Sequence, residues 1–577
     1  MSNLSNKITI YILFLQCSCY ANPSVTINQG RLTGIYIVTN NGRIVSGFLG
    51  IPFAQSPTGS LRFKAPQPPK PWTGTYRAEN GSISCTQIEK GKLSGVEDCL
   101  YLNVYTPQLP EESSLLLPVM VVIYGGNFDH GSASPDIYGS QYILDHNVVL
   151  VVMNYRLGAL GFMSTGDEAS PGNYGLKDQT MALRWVQRNI GAFGGDADQV
   201  TLIGLSAGAI CAHFLSLSDK TNGLFHKLIL HSGTATCLHG YQDKSLAAKT
   251  THEIAEFFDC PTENSTLIVR CLRKLKASTL ASWSKPTPGL LFSPTNEPES
   301  DEAIVTDSPA NLMNQGKMRD LPWICGNVRD EGLFVTAYDY ANLTHLEDTV
   351  LRLNDTIKND IEQLGRNDTA GYFEAIMDYY FNDWTIDHTM VIKNYTYMVD
   401  DIYFFYPTIE WLETQARSGS QAGYMYVFEY RGTFSISYDI TGNDTDMGVC
   451  HGDDSMYLFP RANSSFAALK KNMSRTDLKM MKQLTGLWAS FVTHGVPTLP
   501  EWGSTERWWK YDARGSYLRI GSNSDLSLIM KTSLHENRMN FWRKLLGQHI
   551  SGSEDASAGT LTTVMAGYVI LSYVYTS

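Results

Sequence analysis

The sequence predicts an α/β fold: a large, mostly parallel central sheet covered by helices, with helical cap insertions. Three observations carry that expectation. "LPVMVVIYGG" (Leu117 to Gly126) and "HNVVLVVMNYR" (His146 to Arg156) are unbroken apolar runs that suit strands buried on both faces. "GNYGLKDQTMALRWVQRNIGAFGG" follows with Met181, Leu183, Val186 and Ile190 at near-helical spacing, stopped by Gly194-Gly195. Strand and helix then alternate along the chain, which means a layered α/β sheet.

The later elements read in order. "VTLIG" (Val200 to Gly204) is a strand, Ser206 a tight turn, and "AGAICAHFLSLS" an apolar helix. "LFHKLILHSG" and "LPWICGNV" are further strands. From about residue 340 to 420 longer polar helices predict a cap or side lobe. "GYMYVFEYRG" (Gly423 to Gly432) returns to the sheet, and "LKMMKQLTGLWASFVTHG" and "ENRMNFWRKLLG" read as closing helices. No linker interrupts the series, so one domain is expected over residues 22–550.

Composition narrows the function. The chain has 577 residues, 43% apolar and 18% charged, enough for a large core. A net charge of -12, with no basic cluster, argues against a nucleic-acid partner.

Both ends predict processing. Lys7, an apolar run from Ile8 to Leu15 and small residues up to Ala21 read as a secretory signal peptide over residues 1–21. The rival reading is a membrane anchor, for which the run is short. Residues 551–577 begin with Ser551-Gly552-Ser553, continue through a polar spacer and finish in the uncharged "LTTVMAGYVILSYVYTS". That order is a GPI-attachment signal, with a tail anchor or a buried or disordered tail as alternatives. Sequons at Asn80, Asn264, Asn342, Asn354, Asn367, Asn394, Asn443, Asn463 and Asn472 fit a glycoprotein, secreted or GPI-anchored at the extracellular face of the plasma membrane. Cys85 with Cys99, and Cys260 with Cys271, are spaced for short-loop disulfides in an oxidising compartment. Cys211 and Cys325 read as buried hydrophobes, and Cys237 and Cys450 are unassigned.

The chemistry rests on four strand ends. Gly204-Leu205-Ser206-Ala207-Gly208 places a serine between strand and helix, the geometry of a nucleophile elbow. A serine hydroxyl needs a base, and the base an acidic orienter. In chain order, "GNVRDEGLF" supplies Glu331 and "GVCHGDDSMYLF" supplies His451. Gly125-Gly126-Asn127, directly after a buried strand, offers main-chain donors for a developing oxyanion. Each feature alone has an ordinary explanation: a turn serine, a solvated acid or histidine, a loop. Four in order at strand ends do not.

These motifs, with "FLGIPFAQSPTGSLRF", "EDCLYLNVYTP", "NYRLGALGFMSTGD", "FGGDADQVTLIGLSAGA" and "LFHKLILHSG", resemble the type-B carboxylesterases, the cholinesterase/carboxylesterase branch of the α/β-hydrolases, over roughly residues 24–545. The resemblance implies Ser206 as nucleophile, Glu331 as orienting acid, His451 as general base, and the N–H groups of Gly126, Asn127 and Ala207 as oxyanion hole. It also implies disulfides Cys85–Cys99 and Cys260–Cys271, and structural ion pairs Arg62–Glu97 and Arg156–Asp178. No metal or cofactor is expected.

Three departures shape the expectation. Leu205 stands where the family usually has Glu or Gln, so a carboxylate that would stabilise the imidazolium is missing and turnover should be slow. Asn127 stands where a third glycine or an alanine is usual. Asn tolerates positive φ, and its amide should narrow the acyl space toward small or slim groups. "TQIEKGKLSGVED", between Cys85 and Cys99, lacks the tryptophan that holds choline in cholinesterases. Phe334 can still line an apolar gorge. The expected function is therefore general ester hydrolysis through an acyl-enzyme, with a small-molecule ester as partner. Two alternatives remain: a slow or inactive surface-recognition homologue, and an esterase that sequesters esters or organophosphates stoichiometrically. The physiological ester and the oligomeric state are not legible.

Overall fold

The computed structural model describes residues 21–283, 292–363, 369–381, 388–417, 423–460, 466, 469–503, 507–523 and 525–547. Residues 1–20 of the expected signal peptide, the expected tail at 551–577 and the sequons at Asn367 and Asn463 lie outside them.

An 11-stranded sheet organises the molecule. In chain order its strands are β1 (Ile35–Val38), β2 (Ile44–Pro52), β3 (Tyr101–Thr106), β4 (Leu117–Ile123), β5 (Val149–Met153), β6 (Gly195–Leu205), β7 (Lys227–His231), β8 (Trp323–Val328), β9 (Tyr424–Tyr430), β10 (Tyr517–Asn523) and β11 (Asp525–Lys531). Across the sheet they run β11-β10-β9-β8-β7-β6-β4-β5-β3-β2-β1. The middle, from β5 through β4 and β6 to β10, is parallel; both margins are antiparallel. Every residue of β4 and β5 is buried, as expected for strands covered on both faces.

The covering helices include α1 (Tyr174–Asn189), α2 (Ala207–Leu217), α3 (Leu333–Ala341), α4 (Leu343–Gln363), α5 (Thr369–Phe381), α6 (His388–Val399), α7 (Tyr406–Arg417), α8 (Arg475–His494) and α9 (Glu536–Gly547). α1 buries Leu183 and Val186, and Gly194 closes the following turn in the left-handed region at φ 80°. α4 to α7 form the expected helical insertion, joined between α6 and α7 by a π-helical segment, Asp400–Phe405. Such single-turn π segments mark functional positions often enough to examine. Among the described residues, no helix is long and apolar enough to cross a membrane.

Two parts of the fold differ from the sequence expectation. Residues 24–106 build β1 to β3 and two small sheets; most of these strands are three to six residues long, and the nine-residue β2 is interrupted by Ser46, Gly47 and Gly50. The chain also does not close on helices alone: the β10–β11 hairpin intervenes between α8 and α9. β11 has only half-buried and exposed residues, so it lacks the continuous apolarity that identified the central strands.

Both disulfides form, Cys85–Cys99 and Cys260–Cys271. Cys211 and Cys325 are buried thiols as expected, and so are Cys237 and Cys450. Asn80, Asn264, Asn342 and Asn472 are exposed. Asn354 and Asn394 instead lie inside α4 and α6, and their sequon threonines, Thr356 and Thr396, are buried.

Both expected ion pairs are present. Arg62 grips Glu97 at 2.7 Å and holds the first disulfide loop. Arg156, at the exit of β5, meets Asp178 of α1 through two guanidinium bonds of 2.8 and 2.7 Å and its own amide at 3.0 Å. Burial pushes the Asp178 carboxyl up, and Arg156 pulls against that shift. Removing one partner of such a pair leaves a buried charge unmatched. Arg156→Met is therefore expected to lower stability by about 3–5 kcal/mol. Arg77→Met, which breaks a solvent-exposed pair with Glu79, should leave the midpoint nearly unmoved. Urea midpoints of the two variants check this; equal shifts would contradict it.

Candidate active site

Strand order reverses at β4: β5 pairs on one side of it and β6 on the other. The loops leaving β4 and β6 therefore diverge and open a crevice at their carboxyl ends, where parallel α/β sheets place ligands. Gly125, Gly126, Asn127, Leu205, Ser206 and His451 all line one cavity at that crevice.

The serine turn explains its own glycines. Ser206 sits at φ 54°, ψ −125°, a strained conformation for a residue with a side chain, and its N–H bonds to His231 O at 2.8 Å. A Cβ on Gly204 would lie 2.3 Å from Gly208 O, and one on Gly208 would lie 2.2 Å from Ile123 O. Only glycines let α2 turn back this closely onto β4 and β6. Ala207 is the first residue of α2, so its N–H has no partner inside the helix and belongs to the positive end of its dipole.

The loop after β4 is shaped the same way. A Cβ on Gly125 would fall 2.6 Å from Leu205 O and 2.8 Å from Ser206 Cβ. Gly126 adopts φ 118°, and its carbonyl accepts N–H groups from Asp129 and His130 at 3.0 Å. Asn127 takes φ 52°, the left-handed conformation its residue type was expected to tolerate. Gly126 and Asn127 line the cavity beside Ser206, and Ala207 follows Ser206 at the head of α2.

Glu331 and His451 meet. His451 Nδ1 lies 2.6 Å from Glu331 Oε2, and the fully buried carboxylate accepts Val328 N–H at 2.9 Å and Asn327 Nδ2 at 3.1 Å through Oε1. An acceptor at Nδ1 fixes the proton there and leaves Nε2 free to take one. The ring is held by Phe334 of α3 at 5.3 Å and Phe404 of the π segment at 4.9 Å between centroids. That segment also sets Asp400, whose Oδ1 accepts Gly332 N–H at 2.6 Å, directly after Glu331.

Several lining residues were not anticipated. Glu89, from the hairpin inside the first disulfide loop, reaches the cavity where the loop was noted only for lacking an aromatic. Phe404 carried no signal, because "DDIYFF" gives no hint of a π turn. His130, His231, His239 and Asp454 also line the cavity. His231 ends β7 in the quoted "HSG", and Asp454 follows His451 in "HGDD", so both lay within recognised motifs without an assigned task. Leu205 is buried at the cavity wall and brings no titratable group to it.

Comparison with known proteins identifies the family and the fold. The family model described as the carboxylesterase family matches residues 21–542. Esterase FE4 of Myzus persicae is 38% identical over 84% of this chain and 86% of its own length. Juvenile hormone esterase of Tribolium castaneum is 34% identical, covering 83% and 84%. Carboxylesterase 4A of Bos taurus is 31% identical, covering 91% and 95%. In three dimensions, the crystal structure of juvenile hormone esterase from Manduca sexta superposes with a TM-score of 0.81 at 24% identity, covering 91% of this chain and all of that one, which shows the shared α/β-hydrolase fold.

Strain at Ser206 has a measurable consequence. Glycine relieves a φ 54°, ψ −125° conformation, and alanine does not. Ser206→Gly should be more stable than Ser206→Ala by about 1 kcal/mol, the relief of 1–3 kcal/mol less glycine's entropic cost of about 0.5–1. Thermal unfolding compares them, and a glycine variant no more stable than the alanine one would show the turn to be unstrained.

Proposed function

The chain belongs to the carboxylesterase family and is a carboxylic ester hydrolase, and on that premise we propose that it works as a serine esterase through an acyl-enzyme on Ser206. His451 takes the Ser206 proton as the hydroxyl attacks the ester carbonyl, then returns it to the leaving alcohol. Glu331 holds the ring in the required tautomer and stabilises the imidazolium. The N–H groups of Gly126, Asn127 and Ala207 receive the oxyanion. Water, with His451 again as base, clears the acyl group. The observation that carries this reading is the 2.6 Å Glu331–His451 contact facing the same cavity as the strained Ser206 turn.

The proposal extends to selectivity and address. A general carboxylesterase fits better than a choline-ester specialist, because the first disulfide loop contributes Glu89 and no aromatic face to the cavity. Asn127 narrows the space beside the oxyanion donors and favours slim acyl groups. Leu205 withholds a carboxylate from the imidazolium and slows turnover, which is the observation favouring the second reading, a stoichiometric trap. Export as a single 22–550 domain, with glycans on the exposed sequons and a GPI anchor from the 551–577 segment, agrees with two disulfides that an oxidising compartment preserves.

The test is release of p-nitrophenol from short-chain esters. Steady turnover should be abolished in Ser206→Ala and fall roughly 10³- to 10⁴-fold in Glu331→Gln with the fold intact. A burst equal to the enzyme concentration with almost no steady rate would establish the trap. Turnover unchanged in Ser206→Ala would overturn the mechanism.

A further inference from the structure

His239 is a second histidine in the cavity, on the loop after β7, and the mechanism above gives it no task. It is 6% exposed, with its ring 5.7 Å from Tyr403 and 5.8 Å from Phe404 between centroids. Nδ1 is fully enclosed and has no hydrogen-bond partner. His231 is committed through both ring nitrogens, to Asp454 at 2.8 Å and to Trp488 Nε1 at 2.9 Å. His213 is committed through Nδ1 alone, which accepts Ala235 N–H at 2.9 Å; its Nε2 is buried and unpaired, but His213 does not line the cavity. Among the described residues, only the ring of His239 borders the cavity with no such bond.

Packing alone does not account for a histidine here. A phenyl or leucyl group would fill the same apolar space without an unmatched polar atom, and an enclosed polar atom left unpaired is costly. Burial, assisted by the nearby His451, pushes the His239 pKa down to about 3, so the ring is neutral near pH 7. A neutral imidazole carries one proton. An enclosed N–H without an acceptor is the rarer and costlier defect, so the proton belongs on Nε2, the ring's other polar atom, toward the cavity.

We propose that His239 is a specificity-determining residue that donates a hydrogen bond from Nε2 to an ether or carbonyl oxygen in the chain of a bound ester, so that esters bearing such an oxygen are preferred over their all-carbon counterparts. The proposal rests on the reading of this cavity as the ester site. It sharpens that reading: the cavity wall formed by Leu205, Phe334 and Phe404 accepts an apolar chain, and His239 reads one polar atom within it. A site that hydrogen-bonds a substrate oxygen discriminates against the analogue lacking it, because its own donor is then left unpaired.

The experiment uses two atom-matched pairs with the full-length protein. On the acyl side these are p-nitrophenyl 3-ethoxypropanoate and p-nitrophenyl hexanoate; on the alcohol side, 2-ethoxyethyl acetate and pentyl acetate. Each kcat/KM is divided by the hydroxide-catalysed rate of the same ester. A neutral hydrogen bond of ordinary net strength gives about a tenfold preference for the ether member of at least one pair. His239→Phe, which keeps the ring and removes both nitrogens, should bring that ratio to about one, and His239→Gln, which keeps a donor, should restore part of it. A wild-type ratio near one in both pairs, or a preference that survives in His239→Phe, overturns the proposal. Binding to Ser206→Ala separates the two readings. There the ether ester should bind about tenfold tighter than its partner, and the difference should vanish in Ser206→Ala/His239→Phe. Hydrolysis that survives Ser206→Ala would instead count against the nucleophile, whereas equal binding of the pair would count against His239.

Discussion

Asp454 holds the two halves of the site together. Its Oδ2, completely buried, lies 2.8 Å from His231 Nδ1 and accepts the Tyr426 hydroxyl at 2.7 Å. Trp488 of α8 donates to His231 Nε2 at 2.9 Å, which requires Nδ1 to carry the proton toward Asp454. The carbonyl of the same His231 accepts the Ser206 amide. One network thus joins the loop that carries His451, three residues before Asp454, to the turn that carries Ser206. Burial by itself would raise the Asp454 carboxyl, but His231 and Tyr426 outweigh it and hold the group below the usual carboxylate range. A carboxyl depressed in this way contributes stability that is present above its unfolded value near pH 4 and lost as pH falls through the folded one. Its neighbour Asp453 goes the other way, pushed up to about 7 by burial, although Ile436 N–H, Ser435 Oγ and Cys450 N–H all donate to it.

The sheet supplies what this network ties down. Parallel strands bring the ends of β4, β6, β7, β8 and β9 to one edge, and the reversal of strand order at β4 opens the crevice between the first two. The Gly125–Asn127 loop, the Ser206 turn, the buried Glu331 and the His451 loop then need only short segments to meet, although they stand far apart in sequence. The helical insertion closes the arrangement. Its π segment sets Phe404 against the His451 ring and Asp400 on the backbone beside Glu331, so a region remote from both in sequence packs against the pair. The serine itself is held by glycines whose absent side chains allow contacts that any Cβ would block.

Legibility followed physical distinctiveness. The central strands could be read because burial on both faces demands unbroken apolarity, and the Ser206 turn because its strain demands glycines at Gly204 and Gly208. Arg62–Glu97, Arg156–Asp178 and both disulfides followed from the family resemblance and are present. β1 and β11 were missed because short or half-exposed strands carry no periodic signal of comparable strength, and β2, β3 and β10 because polar residues and glycines interrupt their apolar runs. Phe404 and His239 were missed for another reason: their parts are set by contacts with residues distant in the chain, and nothing local marks them; Asp454 lay within a recognised motif, but its partners His231 and Tyr426 are distant too. Leu205 was visible as an anomaly from the start, and its place in the cavity wall turns it from a doubt about the motif into a property of the site.

The central claim is that Ser206 is a working nucleophile activated by His451 and oriented by Glu331. Its most direct test is intact-protein and peptide mass spectrometry after reaction with a fluorophosphonate, which phosphonylates an activated serine and displaces fluoride. The account predicts one adduct per chain, on the peptide containing Ser206, and its loss when His451 is replaced by alanine. No adduct, or a single adduct on another residue, would contradict it.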